Sequence, residues 1–104
     1  MRNPGREAVA ATRREIMAKI SHWLRRKYGI AARRFRNVEF EPGAEIIVVE
    51  MDSSTPQDYV VGKITAAKDG LLRYKVGKNK FSVGYDYILN MGTPGRSFYF
   101  LKPE

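Results

Sequence analysis

Asp69-Gly70 sits between two runs that alternate apolar and polar residues, and this restricts the fold more than any other feature of the chain. Asp-Gly suits the two positive-φ positions of a tight hairpin turn, whose twist matches the flanking strands. Before the turn, Tyr59–Ala66 sets Val60, Gly62, Ile64 and Ala66 on one face and Tyr59, Val61, Lys63 and Thr65 on the other. After it, Leu71–Val76 sets Leu72, Tyr74 and Val76 against Leu71, Arg73 and Lys75. Such period-two patterning marks half-buried strands of an antiparallel sheet. Gly77-Lys78-Asn79-Lys80 reads as the next turn, and Phe81, Val83 and Tyr85 alternate again.

Further strand signals flank this meander. Glu45–Met51 contains Ile46-Ile47-Val48-Val49, a β-branched run of the kind found in buried strands. Ser97–Leu101 follows Gly92-Thr93-Pro94-Gly95, and Val38–Glu41 is a short candidate ended by Pro42-Gly43. The polar stretch Asp52–Asp58 reads as a loop, and Asp86–Met91 as a short turn. Five main strands within about sixty residues suit a small bent barrel better than a two-layer sandwich, which needs more strands. Strand, long polar loop, three-strand meander, short turn and final strand, over residues 43–101, resemble an SH3-like barrel. The resemblance implies architecture alone. Such barrels serve nucleic-acid binding, peptide binding and assembly alike, so no functional residue is carried over.

A helix precedes the strands, over residues 3–29. Asn3 can cap it with Pro4 in the first turn, and Gly29 can stop it. Val9, Ile16, Ile20, Trp23 and Leu24 fall on one side at helical spacing, with Met17 and Tyr28 at the edge of that stripe. A barrel of this size buries too little of its own chain to be secure alone. The expected fold is therefore α+β in one domain: an amphipathic helix packed on a five-stranded antiparallel SH3-like barrel (residues 38–104), joined by a basic arm (30–37). Trp23 belongs to the helix–barrel core.

Charge is segregated along the chain, where interspersed signs are the ordinary arrangement. Residues 1–37 hold eleven Lys and Arg against Glu7 and Glu15. Residues 38–62 hold six acids (Glu39, Glu41, Glu45, Glu50, Asp52 and Asp58) and no Lys or Arg. Residues 63–80 hold six basic residues against Asp69, and the remainder balances. The whole chain is +8, which favours an anionic partner.

Two basic clusters are candidate nucleic-acid contacts. The first runs from the helix into the arm: Arg14, Lys19, Arg25, Arg26, Lys27, Arg33, Arg34 and Arg36. Cations in the last helical turn also favour the helix dipole, but three arginines around Phe35 beyond Gly29 do nothing for a helix. They suit an arm that grips phosphates, with Phe35 packing inward or stacking on a base. The second cluster is Lys63, Arg73, Lys75, Lys78 and Lys80. It forms an outward basic ridge if Ile64, Tyr74 and Val83 face inward, although lysines also guard exposed strands against edge pairing. Tyr59, Tyr85, Tyr87 and Tyr99 are stacking candidates, and the core needs most of them.

The chain lacks the marks of catalysis. With no cysteine there is no disulfide framework, thiol nucleophile or thiolate-bound zinc. His22, the only histidine, has no neighbouring carboxylate motif. Ser53, Ser54 and Thr55 lack a base, and Gly77-Lys78-Asn79-Lys80 lacks the spacing of a phosphate-binding loop. Glu39 and Glu41 share a strand face without a third metal ligand. The expected function is non-enzymatic binding of DNA or RNA along the phosphate backbone, largely independent of sequence, with no metal or cofactor. The alternative is a protein-interaction, assembly or inhibitor role, using the charge blocks and an exposed strand edge. No apolar run approaches a membrane span and no signal-peptide core is evident, so a cytoplasmic protein without a membrane partner is expected.

Overall fold

The computed structural model describes the backbone from Pro4 to Glu104 and the side chains from Arg13 onward, Gly92 and Pro94 excepted. The fold is α+β. Helix α1 (Pro4–Tyr28) leads to β1 (Ala32–Arg34) and a 3-10 turn at Asn37–Glu39. Then come β2 (Glu45–Asp52), β3 (Thr55–Lys68), β4 (Leu71–Val76), β5 (Asn79–Gly84), a short helix α2 (Tyr85–Leu89) and β6 (Phe98–Pro103). The strands form one antiparallel sheet in the order β1-β6-β2-β3-β4-β5.

In place of the expected five-stranded barrel there is an open sheet, with β1 and β5 at its two ends. The sheet has six strands, because Ala32–Arg34 joins it: Arg33 pairs with Lys102 and Arg34 with Leu101. The arm is thus partly strand. Val38–Glu41 is no strand, since its first residues close the 3-10 turn. Asp52–Asp58 is no long loop: Ser53 and Ser54 alone make the turn, with Ser53 at φ 56°. Its polar residues suggested a loop, but they line an exposed hairpin end where the backbone ladder continues regardless of side-chain polarity. The Asp69-Gly70 hairpin is as expected, with φ 57° and 74°. Asn3 and the Val9 side chain lie outside the described residues.

Strand β3 sets the shape of the sheet. Its first half pairs with β2 and its second with β4, and Lys63 belongs to both ladders. Just before the changeover a Cβ on Gly62 would stand 2.6 Å from the Lys75 carbonyl oxygen, so the strands cross too closely for any side chain. The register then shifts between Ile64 and Ala66, a bulge that bends the strand.

β2 is buried on both faces, as Ile46-Ile47-Val48-Val49 implied. Ile47 and Val49 share one face with their partners Leu101, Tyr99 and Tyr59. Tyr59 meets Trp23 and Tyr28 of α1 edge to face, so the helix covers this side. Ile16, Ile20 and Leu24 are the buried stripe of α1, each contributing about 1.5–3 kcal/mol by leaving water. Gly29 at φ 69° ends the helix, and its N–H and that of Ile30 bond back to Arg25 and Leu24 carbonyls. On the opposite face Val48 and Phe100 join Ile64, Leu72 and Ile88 in the core.

Candidate functional site

Lys63, Lys75 and Lys80 stand directly opposite one another on β3, β4 and β5. Adjacent strands lie about 4.8 Å apart, so the row spans roughly 10 Å. Opposed like charges weaken a sheet, and the next row adds Arg73 opposite Ser82. All these side chains are exposed, as is Lys78 in the β4–β5 turn. They lie on the face away from Ile64 and Tyr74, which is the outward ridge the sequence suggested. Glu45 faces Lys63 from β2, yet among the described residues the only ion pairs join Arg33 and Arg36 to Glu39.

The ridge is on the same sheet face as α1. Along β3, Tyr59, Val61 and Lys63 point the same way, and Val61 is 46% exposed. Tyr28 packs on Tyr59 with ring centroids 4.6 Å apart, and the Lys27 ammonium lies 5.6 Å from the Tyr28 ring. A strip of aromatic and apolar surface therefore links the basic end of α1 to the lysine row. Arg14, Arg25, Arg26 and Lys27 are exposed on the helix, and Lys19 donates to the Ser54 carbonyl at 3.1 Å.

The arm behaves differently. Arg33 donates to both carboxylate oxygens of Glu39, at 2.8 Å to Oε1, and the Arg36 N–H donates to Oε1 at 2.8 Å. The Arg36 guanidinium adds a 3.4 Å ion pair. These bonds hold the Glu39 carboxyl far below the ordinary range, at about 2, with the Arg33 hydrogen bond the largest cause. Arg34 donates to the Leu89 carbonyl at 2.7 Å. Phe35 is buried against Phe40, so it packs inward. Three arginines thus fasten the arm to its own chain, and of these Arg34 and Arg36 remain exposed.

The aromatics divide as their strands require. Tyr99 is buried, and Tyr59, Tyr85 and Tyr87 are half-buried. Burial raises the Tyr74 and Tyr99 hydroxyls above the ordinary phenol value. On the face opposite the ridge is a groove of about 520 Å³, lined by Tyr74, Phe81, Tyr87, Phe98, Phe100 and Val48 among others. Phe81 and Phe98 are 47% and 46% exposed. The groove leaves no mark in the sequence, because an aromatic on the inward face of a strand looks like core. Phe81 is uncovered because β5 ends the sheet.

Among the described residues, no group of three His, Asp or Glu side chains could hold a metal, and no helix is long and apolar enough to cross a membrane. His22 is exposed beside Arg26. In comparisons with family models, curated proteins and solved structures, nothing matches this chain.

Proposed function

We propose that this is a non-enzymatic nucleic-acid-binding protein that grips the phosphate backbone without reading sequence. The contacts are Lys63, Arg73, Lys75, Lys78 and Lys80 on the sheet, with the exposed cations at the end of α1. The opposed row Lys63–Lys75–Lys80 carries the reading. A sheet gains nothing from three ammonium groups side by side, whereas a polyanion along the row relieves their repulsion. Tyr28 and Val61 supply apolar surface beside the row, suited to the base or sugar of a strand held there. Arg33 contributes less, because Glu39 already neutralises it. Arg34 and Arg36 extend the contacts at the arm.

The order of elements is similar to that of an SH3-like barrel. The long bent β3, the meander and a short helix before the last strand support this likeness, although the sheet is open, with β1 and β5 at its ends, and the long polar loop of that pattern is absent. A cytoplasmic location belongs to the same proposal.

Labelled DNA and RNA oligonucleotides titrated at several salt concentrations test the function. The five sheet contacts alone give a slope of log K against log salt of about −4, and the cations of α1 and the arm make it steeper. Lys63→Gln/Lys75→Gln/Lys80→Gln is expected to flatten that slope with the fold intact. Absence of binding at low salt, with a discrete oligomer by light scattering, overturns the proposal in favour of assembly.

A further inference from the structure

β5 is a terminal strand of the sheet, and Asn79-Lys80-Phe81-Ser82 are all exposed. Its partner β4 covers one edge, and among the described residues no strand pairs with the other. Its two faces differ sharply. Lys80 and Ser82 share a face with Lys75, Arg73 and Lys63, while Phe81 and Val83 point to the face of the groove. That groove runs from Phe81 past Tyr74 and Tyr87 to Phe98.

A strand laid along β5 sends successive side chains to opposite faces. Every second residue then lies on the groove side, where those beside Phe81 and Val83 reach the mouth of the aromatic groove, and the residues between them stand beside Lys80 and the basic rows. We propose that the β5 edge binds an extended segment of a partner protein in which apolar and acidic residues alternate, added as a further strand. Charge singles out this occupant. The sheet's two terminal strands both present exposed cations, since β5 carries Lys80 and β1 carries Arg34. Pairing β5 with either edge of a second copy brings cations together and supplies no acid to the lysine row. The acidic strand β2 of a second copy is already paired on both sides, by β3 and β6. An acidic partner relieves the lysine row and fills the groove together.

This site does not depend on nucleic-acid binding, although both use Lys80. The probe is a labelled peptide of alternating Glu and Val, seven residues long, added to the full-length protein. A peptide with Lys for Glu and one with Ser for Val serve as controls. Binding of the Glu-Val peptide alone is expected, with amide shifts along Asn79–Gly84 and side-chain shifts at Phe81 and Phe100. Phe81→Ser is expected to weaken it about tenfold or more while leaving oligonucleotide affinity unchanged. Lys80→Glu is expected to switch preference to the Lys-Val peptide, a result that a merely unfolded variant does not give. No binding, equal binding of the Ser control, or shifts confined to the lysines overturns the proposal. So does a concentration-dependent dimer that perturbs the same β5 amides, or an oligonucleotide that fills the groove.

Discussion

Glu39 accepts hydrogen bonds from both terminal nitrogens of Arg33, and the same carboxylate receives the Arg36 N–H. One acid therefore ties β1 to the turn that follows it. Its folded-state pKa, about 2, lies below the roughly 4.3 of an unfolded glutamate. The native chain thus binds this proton less readily than the unfolded one. The clamp's contribution is complete above about pH 5 and fades as pH falls towards 2. Glu39→Gln is expected to lower the melting temperature at pH 7, with a gap to the wild type that narrows at pH 2.5. A Glu39 side chain titrating near 4 by NMR shows that the clamp does not form in solution.

Lys75 has a lysine opposite it on either side, so its removal acts in two directions. Lys75→Gln is expected to raise stability by about 0.2–1 kcal/mol by relieving repulsion. The same change is expected to weaken oligonucleotide binding and reduce the salt slope by about one. Urea denaturation and salt-dependent titration on one variant read both effects. A variant that loses stability instead shows that the lysine stem packs, and that the row is structural.

Much of this site was legible in sequence because period-two alternation fixes faces. Lys63, Arg73 and Lys75 could be assigned to one side from the residues between them. The hairpin at Asp69-Gly70 was legible because few residues tolerate positive φ. The helix stripe of Ile16, Ile20 and Leu24 was legible for the same periodic reason. What escaped was non-local. Nothing near Arg33 announces that Glu39 will take its charge or that Lys102 will pair with its backbone, because both depend on where β6 returns. Polar Asp52–Asp58 concealed a ladder, since backbone pairing at an exposed hairpin end leaves no apolar mark. The groove escaped because exposure of Phe81 is decided by strand order, which alternation does not encode.

Gly62 faces the Lys75 carbonyl where β3 passes from one partner strand to the other. An alanine there forces the two backbones apart, and Gly62→Ala is expected to cost about 1–3 kcal/mol. Gly84→Ala is the matched control. Its added methyl has no neighbour nearer than 3.9 Å, and φ there is −71°. Reduced unfolded-chain entropy then favours a gain of about 0.4–1 kcal/mol. Equal losses at both positions mean that β3 does not cross β4 so closely.

Trp23, the only tryptophan, meets both Tyr28 and Tyr59 edge to face, with centroids 5.1 and 6.3 Å away. Its emission therefore reports whether α1 is seated on the sheet. Ile20 is fully buried one turn away, and Ile20→Ala is expected to cost about 2–5 kcal/mol. If helix and sheet fold as one unit, the Trp23 red shift and the loss of far-ultraviolet ellipticity follow a single denaturation curve. A red shift that precedes the loss of sheet structure means that α1 undocks while the strands persist. The lysine row would then lose its link to the basic helix end before unfolding, and oligonucleotide affinity in mild denaturant should fall with the tryptophan signal.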